Sequence, residues 1–215
     1  MRTILTGAVL AILSLSAQAY EFDFTARVTY TDGSLGGVSS GTVFSGHFLG
    51  NDPFNDYANL PAPYNTKMAS YSFSSGEVTA NIGGHSVSAQ SPSVNIYDNM
   101  ASNVEDGFSM SSGYTMAVDG VTYDSGAFGF NLTTRPGNTG VINGLSLPGS
   151  IDVSAFDGHS SLTYGYMQRD GSQTGRILGF EVLSVSVVPE PSSLALMGLG
   201  VTALVATARR RQRQG

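Results

Sequence analysis

The most informative absence in this chain of 215 residues is cysteine. Without cysteine the chain can form no disulfide, no thiolate metal site and no cysteine nucleophile. Tryptophan is also absent, which weakens the case for a sugar-binding module because stacking on sugars then depends on the ten tyrosines. Only 12% of the residues are charged, whereas 27 are glycine. This composition favours a β-rich protein with many turns over an average cytosolic enzyme.

Motifs that would indicate catalysis are missing as well. The three histidines, His47, His85 and His159, are far apart and form no His-x-His or His-x-x-x-His pair, so they predict no zinc site. No Gly-x-Ser-x-Gly elbow stands between a strand and a helix, as a serine hydrolase of the α/β class would need. We therefore expect surface or turn histidines rather than catalytic ones.

Carboxylates are the remaining candidates for catalysis. A glycosidase needs two carboxyl groups held across a cleft, roughly 5 to 9.5 Å apart. Glu77 adjoins a predicted turn, Glu105 and Asp106 precede another, and Glu181 interrupts an apolar strand. Glu181 is the most unusual of them, but an outward position at a sheet edge or a paired buried charge explains it better than catalysis does. We therefore expect a protein that is not an enzyme and has no catalytic residues.

The first nineteen residues are typical of a secretory signal peptide. Arg2 gives a positive start, residues 4–15 are a short apolar run, and Ala17 and Ala19 form the small-x-small pattern that signal peptidase prefers. The alternative is a membrane anchor, but the run is too short to span ~30 Å of hydrocarbon. We predict cleavage before Tyr20.

The last twenty-seven residues have three parts in a fixed order. Pro189, Glu190 and Pro191 come first, and their two prolines prevent both helix extension and normal strand pairing. An apolar segment at 192–208 follows, at the lower length limit for a transmembrane helix. Four arginines then close the chain, and positive flanks hold such an end in the cytoplasm. These arginines are Arg209, Arg210, Arg211 and Arg213.

This tail resembles the PEP-CTERM sorting tail of exported proteins from Gram-negative bacteria. The resemblance implies that Pro189, Glu190 and Pro191 are the motif recognised by exosortase, a membrane-embedded cysteine transpeptidase or protease. Proteins with such tails often accompany the production of extracellular polysaccharide. The resemblance covers only residues 189–215, and the alternative is a plain tail anchor with a proline-rich stalk. The domain before the tail is expected outside the inner membrane, and the mature protein at the cell surface or in the medium.

Processing at both ends would change the charge of the protein. The full chain has ten basic and sixteen acidic residues, a net charge of −6. Without Arg2 and the four tail arginines, and with Glu190 retained, five basic and sixteen acidic residues remain, a net charge of −11. Nucleic acid and anionic membranes are then unsuitable partners, because phosphate binding needs a basic patch. Divalent cations or neutral polymers fit better.

Residues 20–188 have the pattern of an all-β domain. From Phe22 to Tyr30, every second residue is apolar, which indicates a half-buried strand. Gly83-Gly84 and Asp119-Gly120 each separate two short β-like runs and so predict hairpin turns. Other Asp-Gly pairs, such as Asp106-Gly107, mark further turns. Residues 176–188 are rich in Val, Ile and Leu and predict a central strand.

Short strands with frequent turns favour an antiparallel β-sandwich, jelly-roll-like, over a barrel or a solenoid. No repeat period supports a β-helix. The longest predicted loops are residues 51–65, which contain three prolines, and residues 135–150. Binding sites are commonly found in such loops.

The first of these loops is a candidate calcium site. Asp52, Asn55 and Asp56 bring together the oxygen ligands that a hard cation requires. A second candidate group comprises Asp98, Asn99, Glu105 and Asp106. Neither group has the EF-hand spacing, and Asn and Asp are also common turn residues, so ordinary turns are the alternative. No other cofactor is expected.

Three classes of function remain open. The first is a non-catalytic component of the cell surface or matrix, linked to exopolysaccharide or biofilm. The second is a carbohydrate-binding module with a defined glycan ligand, and the third is a secreted hydrolase. We favour the first, because the sequence has targeting segments and a sheet scaffold without a catalytic constellation.

Overall fold

Residues 19–59, 67–100, 105–113, 115–158, 165–169 and 175–188 are the part of the chain that the structure, a computed structural model, describes. They belong to one unit, Ala19–Val188. Regular structure in these ranges is β, apart from a short 3-10 turn at Val153–Ala155 and a single residue of that type at Gly175. The all-β class predicted from the sequence is confirmed.

Eleven strands are present in the described ranges. They are β1 (Ala19–Thr31), β2 (Val43–Asn59), β3 (Lys67–Ile82), β4 (His85–Gln90), β5 (Ser93–Met100), β6 (Glu105–Ser111), β7 (Met116–Val118), β8 (Val121–Tyr123), β9 (Ala127–Thr133), β10 (Gly165–Gln168) and β11 (Arg176–Val187).

Eight of these strands form a closed ring. Neighbours pair antiparallel in the order β1, β2, β3, β5, β6, β9, β10 and β11. The last of them, β11, pairs with β1, so the sheet closes on itself. The other three strands form an extension, in which β4 pairs with the second half of β3, β7 with β4, and β8 with β7. The result is a barrel-like antiparallel sheet.

The predicted jelly-roll-like sandwich is therefore wrong in its topology. A jelly roll packs two sheets and joins them through Greek-key connections. Here the ring strands follow one another in sequence, and only the extension strands interrupt that order. The physical reason is the pairing of β11 with β1, because it satisfies the backbone groups that both strands would expose at the edges of an open sheet.

The alternating pattern of β1 places its aromatic residues inside the ring. Phe22, Phe24, Ala26 and Val28 are all buried, as predicted. Tyr30 was expected on the same face, but it is 49% exposed. The pairing of β1 with β11 shifts register between Val28 and Tyr30, and such an irregularity changes the face on which the following side chain lies.

Phenylalanine side chains fill the interior of the ring. The rings of Phe22 and Phe48 stack with centroids 4.5 Å apart. Phe22 also meets Phe108 of β6, at 6.0 Å, although β1 and β6 are not neighbours in the sheet, so this contact crosses the interior. Burying each such side chain contributes about 1.5–3 kcal/mol. The fully buried phenylalanines are Phe22, Phe24, Phe48, Phe108, Phe128, Phe130 and Phe180.

Both predicted hairpin turns are confirmed. Gly83 and Gly84 join β3 to β4 with φ angles of 61° and 97°. Asp119 and Gly120 join β7 to β8 with φ angles of 50° and 80°. Positive φ at both central residues is the geometry that such two-residue hairpins need. The predicted strand at 176–188 is also confirmed, as β11 between β1 and β10.

Two predicted turns or loops are instead strands. The predicted loop 51–65 is wrong over Asn51–Asn59, which continue β2 and pair with β3. Pro53 is tolerated because the described pairing of β2 with β1 stops at Asn51, so β2 runs beyond it with one edge unpaired in the described chain. Asp106-Gly107 is not a turn either, because both residues lie in β6 and Gly107 pairs with Thr133. Predicted loop residues 60–65 lie outside the described residues.

The antiparallel ring has two ends. At one end, β1, β3 and β6 begin and β2, β5, β9 and β11 finish. We call this end the terminal end, because both Ala19 and Val188 lie there. The loop that follows β9, residues 134–158, lies against this end and is called the β9–β10 loop. At the opposite end lie the β1–β2 loop, residues 32–42, and the extension strands. The ring closure and the buried core all belong to Ala19–Val188, so this unit contains what it needs to fold by itself.

Candidate functional site

The two predicted processing points adjoin neighbouring strands. Ala19 and Tyr20 open β1, where both pair with β2. Val188 follows β11, and its N–H donates to the carbonyl oxygen of Glu21 at 2.9 Å. Pro189, the first residue of the predicted sorting motif, comes next in the sequence. The chain therefore enters and leaves the ring side by side at the terminal end.

The remaining predicted targeting residues lie outside the described residues. They are Ala17, Pro189, Glu190, Pro191, Arg209, Arg210, Arg211 and Arg213, together with the predicted transmembrane helix 192–208. Within the described ranges, no helix has the length and apolar character needed to cross a membrane.

A buried carboxylate holds the β9–β10 loop against the terminal end. Asp106 of β6 is 0% exposed. Its Oδ2 accepts the backbone N–H groups of Val141 at 3.0 Å and Ile142 at 2.9 Å, and its Oδ1 accepts that of Asn99 at 3.1 Å. The backbone of Asp106 also exchanges hydrogen bonds with Thr134, at the start of the loop. A carboxylate with three amide donors can stay buried without a basic partner.

Two tyrosines hold the same loop from other strands. The hydroxyl of Tyr71 in β3 donates to the carbonyl oxygen of Leu145 at 2.6 Å. The hydroxyl of Tyr20 in β1 donates to the carbonyl oxygen of Pro148 at 3.0 Å. Burial raises the pKa of Tyr20 well above its ordinary value, so this phenol stays protonated and remains a donor. Three strands therefore fix the loop at three separate points.

The loop is also braced internally. Asp157 accepts the backbone N–H of Arg135 at 3.0 Å and the side-chain amide of Asn138 at 3.1 Å. These hydrogen bonds, with the nearby Arg135 guanidinium, hold the pKa of Asp157 below its usual range. The loop predicted at residues 135–150 is thus present and has a defined shape. Among the described residues of the β9–β10 loop, the one regular element is Val153–Ala155.

This loop lines a partly open cavity of about 540 Å³. All but one of its lining residues belong to residues 140–156, and the exception is the buried Ile96 of β5. Asp152 is the one charged residue in the described part of the lining, and its Oδ1 already accepts the backbone N–H and the hydroxyl of Ser154. The apolar lining residues are Ile96, Val141, Ile142, Leu147, Pro148, Ile151, Ala155 and Phe156.

A second depression, which we call the outer groove, lies on the outside of the sheet and also has a volume of about 540 Å³. A row of paired residues crosses it from strand to strand: Asp23, His47, Thr79, Ser88 and Ala117. A second row comprises Ser45, Asn81 and Ser86. Among described residues, the lining contains no Lys or Arg, one carboxylate from Asp23, and mostly hydroxyl, amide and small side chains.

The histidines occupy different places. In the outer groove, Nδ1 of His47 lies 2.9 Å from an oxygen of Asp23. At the opposite end of the ring from the β9–β10 loop, His85 places Nδ1 2.7 Å from Asp119 and Nε2 2.9 Å from the carbonyl oxygen of Gly36. These contacts raise the pKa of His85, the Gly36 carbonyl most, and lower that of Asp119. The third histidine, His159, lies outside the described residues.

The first predicted calcium group does not lie in the loop from which it was inferred. Asp52, Asn55 and Asp56 all belong to β2, and successive strand residues point to opposite faces. Asp52 has a positive φ of 50° and lies 3.5 Å from the hydroxyl of Ser74. The side chains of Asn55 and Asp56 are outside what the structure describes, so calcium binding here stays a prediction.

The second predicted calcium group is engaged in other contacts. Both oxygens of Asp106 accept backbone N–H groups. Asp98 accepts the side-chain amide of Asn99, and its other oxygen lies 3.6 Å from the Lys67 ammonium. Among residues that the structure describes, no group of three or more His, Asp or Glu side chains is placed to hold a metal ion.

The other carboxylates considered for catalysis lie on separate strands. Glu77 belongs to β3, and Glu105 is buried at the start of β6. Glu181 of β11 faces solvent and lies 3.6 Å from the Arg27 guanidinium, with both side chains about half exposed. Glu181 thus faces outward, but from a strand paired on both sides rather than from a sheet edge, and its ion pair is exposed rather than buried.

Sequence reasoning missed the residues that shape the β9–β10 loop. The sequence predicts a turn at Asp106-Gly107 and makes Asp106 a candidate calcium ligand, but neither prediction places it against this loop, and the roles of Tyr20 and Tyr71 have no local signal. Their partners lie far away in the sequence, as with the 128 positions between Tyr20 and Pro148. The one available signal was the length of the loop, which exceeds that of ordinary connections.

Comparison with protein families identifies the tail. A family model described as the PEP-CTERM protein-sorting motif matches residues 187–212. The chain is thus of the exported class, anchored in the membrane and then cleaved, with exosortase as processing partner. Its C-terminal end carries the sorting motif of PEP-CTERM proteins. The searches among curated proteins and among solved structures find no match.

Proposed function

We propose that this protein is a non-catalytic component of the bacterial cell surface or extracellular matrix, linked to exopolysaccharide or biofilm. The observation that carries the proposal is the sorting motif matched over residues 187–212, which begins at the last residue of β11. In the sequence, no residue separates β11 from the matched segment. The protein delivered by this tail is a compact, disulfide-free and strongly acidic β domain.

The proposed path of the precursor follows from its signal peptide and its C-terminal tail. The signal peptide at 1–19 directs export, and signal peptidase cleaves before Tyr20. The arginines after residue 208 keep that end in the cytoplasm, so the β domain lies outside the inner membrane. Exosortase then acts at or near Pro189–Pro191, and the product carries a net charge of −11 from the sequence count. Such a product suits contact with neutral polymers, or with polyanions bridged by divalent cations.

A deletion strain tests the matrix role. Deleting the gene is expected to reduce the exopolysaccharide retained by a biofilm, and the wild-type gene should restore it. A gene in which Pro189, Glu190 and Pro191 are all replaced by alanine should not restore it, because the product stays in the membrane. The alanine variant must first be shown to accumulate to the wild-type level. Unchanged polysaccharide retention in the deletion strain would refute the proposed role.

A carbohydrate-binding module is the second candidate, and the outer groove favours it. Its paired rows present hydroxyl and amide groups across neighbouring strands, without cationic side chains. Such groups hydrogen-bond to sugar hydroxyls at little electrostatic cost. Sugar stacking would have to use other surfaces, because His47 is the one ring system among the lining residues.

A glycan array separates the two candidates. Saturable binding of residues 20–188 to one class of neutral glycan, lost in Ser88→Trp and kept in Ser34→Trp, would support the module. Ser88 lines the outer groove, whereas Ser34 is an exposed residue of the β1–β2 loop. Absence of binding across the array would leave the matrix role as the better proposal. Turnover of released matrix polysaccharide by the same domain would instead establish a secreted hydrolase and overturn both.

A further inference from the structure

We propose that the cavity within the β9–β10 loop is a binding site for an uncharged, largely apolar small molecule. The volume of about 540 Å³ falls within the ~300–1,000 Å³ typical of small-molecule sites. The lining combines aliphatic and aromatic walls with a few polar groups, among them Asn143, Ser146 and Ser150. This mixture is typical of sites that bury an apolar ligand and orient it with one or two hydrogen bonds.

The site is held open before any ligand arrives. A long irregular loop has no regular ladder of backbone hydrogen bonds to keep its shape. This loop is instead fixed by Asp106, Tyr71 and Tyr20 from three strands. These contacts hold the loop backbone at residues 141–142, 145 and 148, which border or line the cavity. A binding site with a preformed shape loses less conformational entropy when it binds. The anchoring therefore favours a ligand site over an incidental gap.

The charge of the lining selects the class of ligand. The lining residues that the structure describes include no Lys, Arg or His, so an anionic ligand finds no cationic partner among them, and the acidic domain repels it. The single carboxylate, Asp152, is committed to the turn at Ser154, and these hydrogen bonds lower its pKa. A cation therefore finds no free carboxylate pair. The lining fits an uncharged ligand whose apolar body packs against Ile96 and Phe156.

The molecule offers a matched pair of variants to test this site. Ala155 lines the cavity, whereas Ala117 lines the outer groove, which has the same volume. Both alanines are partly exposed. Ala155→Phe should fill the cavity, and Ala117→Phe should place the same side chain in the outer groove. The two variants therefore change composition identically and differ only in which depression they block.

The probe is N-phenyl-1-naphthylamine, an uncharged fluorophore that brightens in apolar surroundings. Titration into residues 20–188 should show one saturable site, with affinity at least tenfold weaker in Ala155→Phe and unchanged in Ala117→Phe. The anionic analogue 8-anilinonaphthalene-1-sulfonate should bind at least tenfold more weakly than the neutral probe. Circular dichroism establishes that each variant is folded. If Ala155→Phe does not fold, Ser146→Trp at the exposed rim replaces it, with the same expected loss.

Backbone amide NMR then locates the probe independently of any variant. The largest shifts on adding the neutral probe should fall within residues 140–156 and at Ile96. The proposal is overturned if no saturable binding occurs, if Ala155→Phe binds as tightly as the wild type, or if Ala117→Phe abolishes binding. Equal affinity for the anionic analogue would overturn the assignment of an uncharged ligand.

Discussion

Removing the buried carboxylate of Asp106 should destabilise the domain more than removing any exposed acidic residue. Asp106 is fully buried and accepts three backbone N–H groups, two of them from the β9–β10 loop. Asp106→Ala removes both acceptor oxygens at once and leaves the amides of Asn99, Val141 and Ile142 without these three hydrogen bonds. Asp106→Asn keeps the shape but turns an NH₂ group toward amide donors, so we expect an intermediate effect.

The size of the effect follows from those three hydrogen bonds. A hydrogen bond to a charged group contributes about 1.5–3 kcal/mol. The lower figure applies here, because the three bonds are only partly buried and water can replace some of the lost acceptors. Three such bonds give about 4.5 kcal/mol of lost unfolding free energy. For a domain of this size, that corresponds to a fall in Tm of about 9–18 °C.

Urea and thermal unfolding of residues 20–188, followed by circular dichroism, measure this loss. Asp124→Ala is the matched control, because it removes the same charge from an exposed turn. Its unfolding free energy should change by less than about 0.5 kcal/mol. If Asp106→Ala lies within 1 kcal/mol of Asp124→Ala, on the scale of ordinary surface changes, the anchoring role assigned to Asp106 is wrong.

Two further predictions concern the core and the opposite end of the ring. Phe22→Ala should lower the unfolding free energy by about 3–5 kcal/mol, whereas Phe54→Ala, at a side chain 73% exposed, should change it by less than about 1 kcal/mol in the same urea titration. The carbonyl of Gly36 and Asp119 raise the pKa of His85, and His85 is the main cause of the lowered pKa of Asp119. The contact between His85 and Asp119 is therefore fully formed above the ordinary pKa of Asp119, 3.8, and below that of His85, 6.5. It is lost as pH rises through the raised pKa of His85, or falls through the lowered pKa of Asp119. Hydrogen exchange in the β1–β2 loop, corrected for intrinsic rates, should therefore be slower at pH 5.5 than at pH 8. The variant His85→Gln should abolish that difference. An equal difference in the variant would contradict the role assigned to His85.

The local features of the fold could be predicted because they depend on neighbouring residues. The turns at Gly83-Gly84 and Asp119-Gly120 need positive φ, and glycine beside a tolerant residue signals this directly. The alternation of β1 identified its buried face as far as Val28. It failed at Tyr30, because the register irregularity there arises from the pairing with β11 and has no signature in β1 itself.

The closure of the sheet could not be predicted in the same way. Strands with one buried face show the same alternation in a sandwich and in a ring. What separates the two is the pairing of the first strand with the last, for example of Phe22 with Val187. The strand at Asn51–Asn59 was missed for a related reason. Pro53 opposes a central strand, but it is compatible with a segment that has one unpaired edge in the described chain.

The candidate sites differ in the same way: one is encoded by neighbouring residues and the other by contacts between distant ones. The tail was recognised because its three parts follow one another in sequence, and the family match at residues 187–212 confirms it. The cavity was not foreseen, because its shape depends on contacts between the β9–β10 loop and strands elsewhere in the chain. Asp106 shows the difficulty: Asp-Gly commonly marks a turn, and only the folded ring places this carboxylate among amides.

Mass spectrometry of the mature protein tests the central claim most directly, namely that both ends are targeting segments removed from an exported β domain. Protein recovered from the cell surface or the medium should begin at Tyr20 and end near Pro189–Ser193. In a strain without exosortase, the tail should remain and the protein should stay with the membrane. Surface material that still carries residues 209–215 would contradict the account.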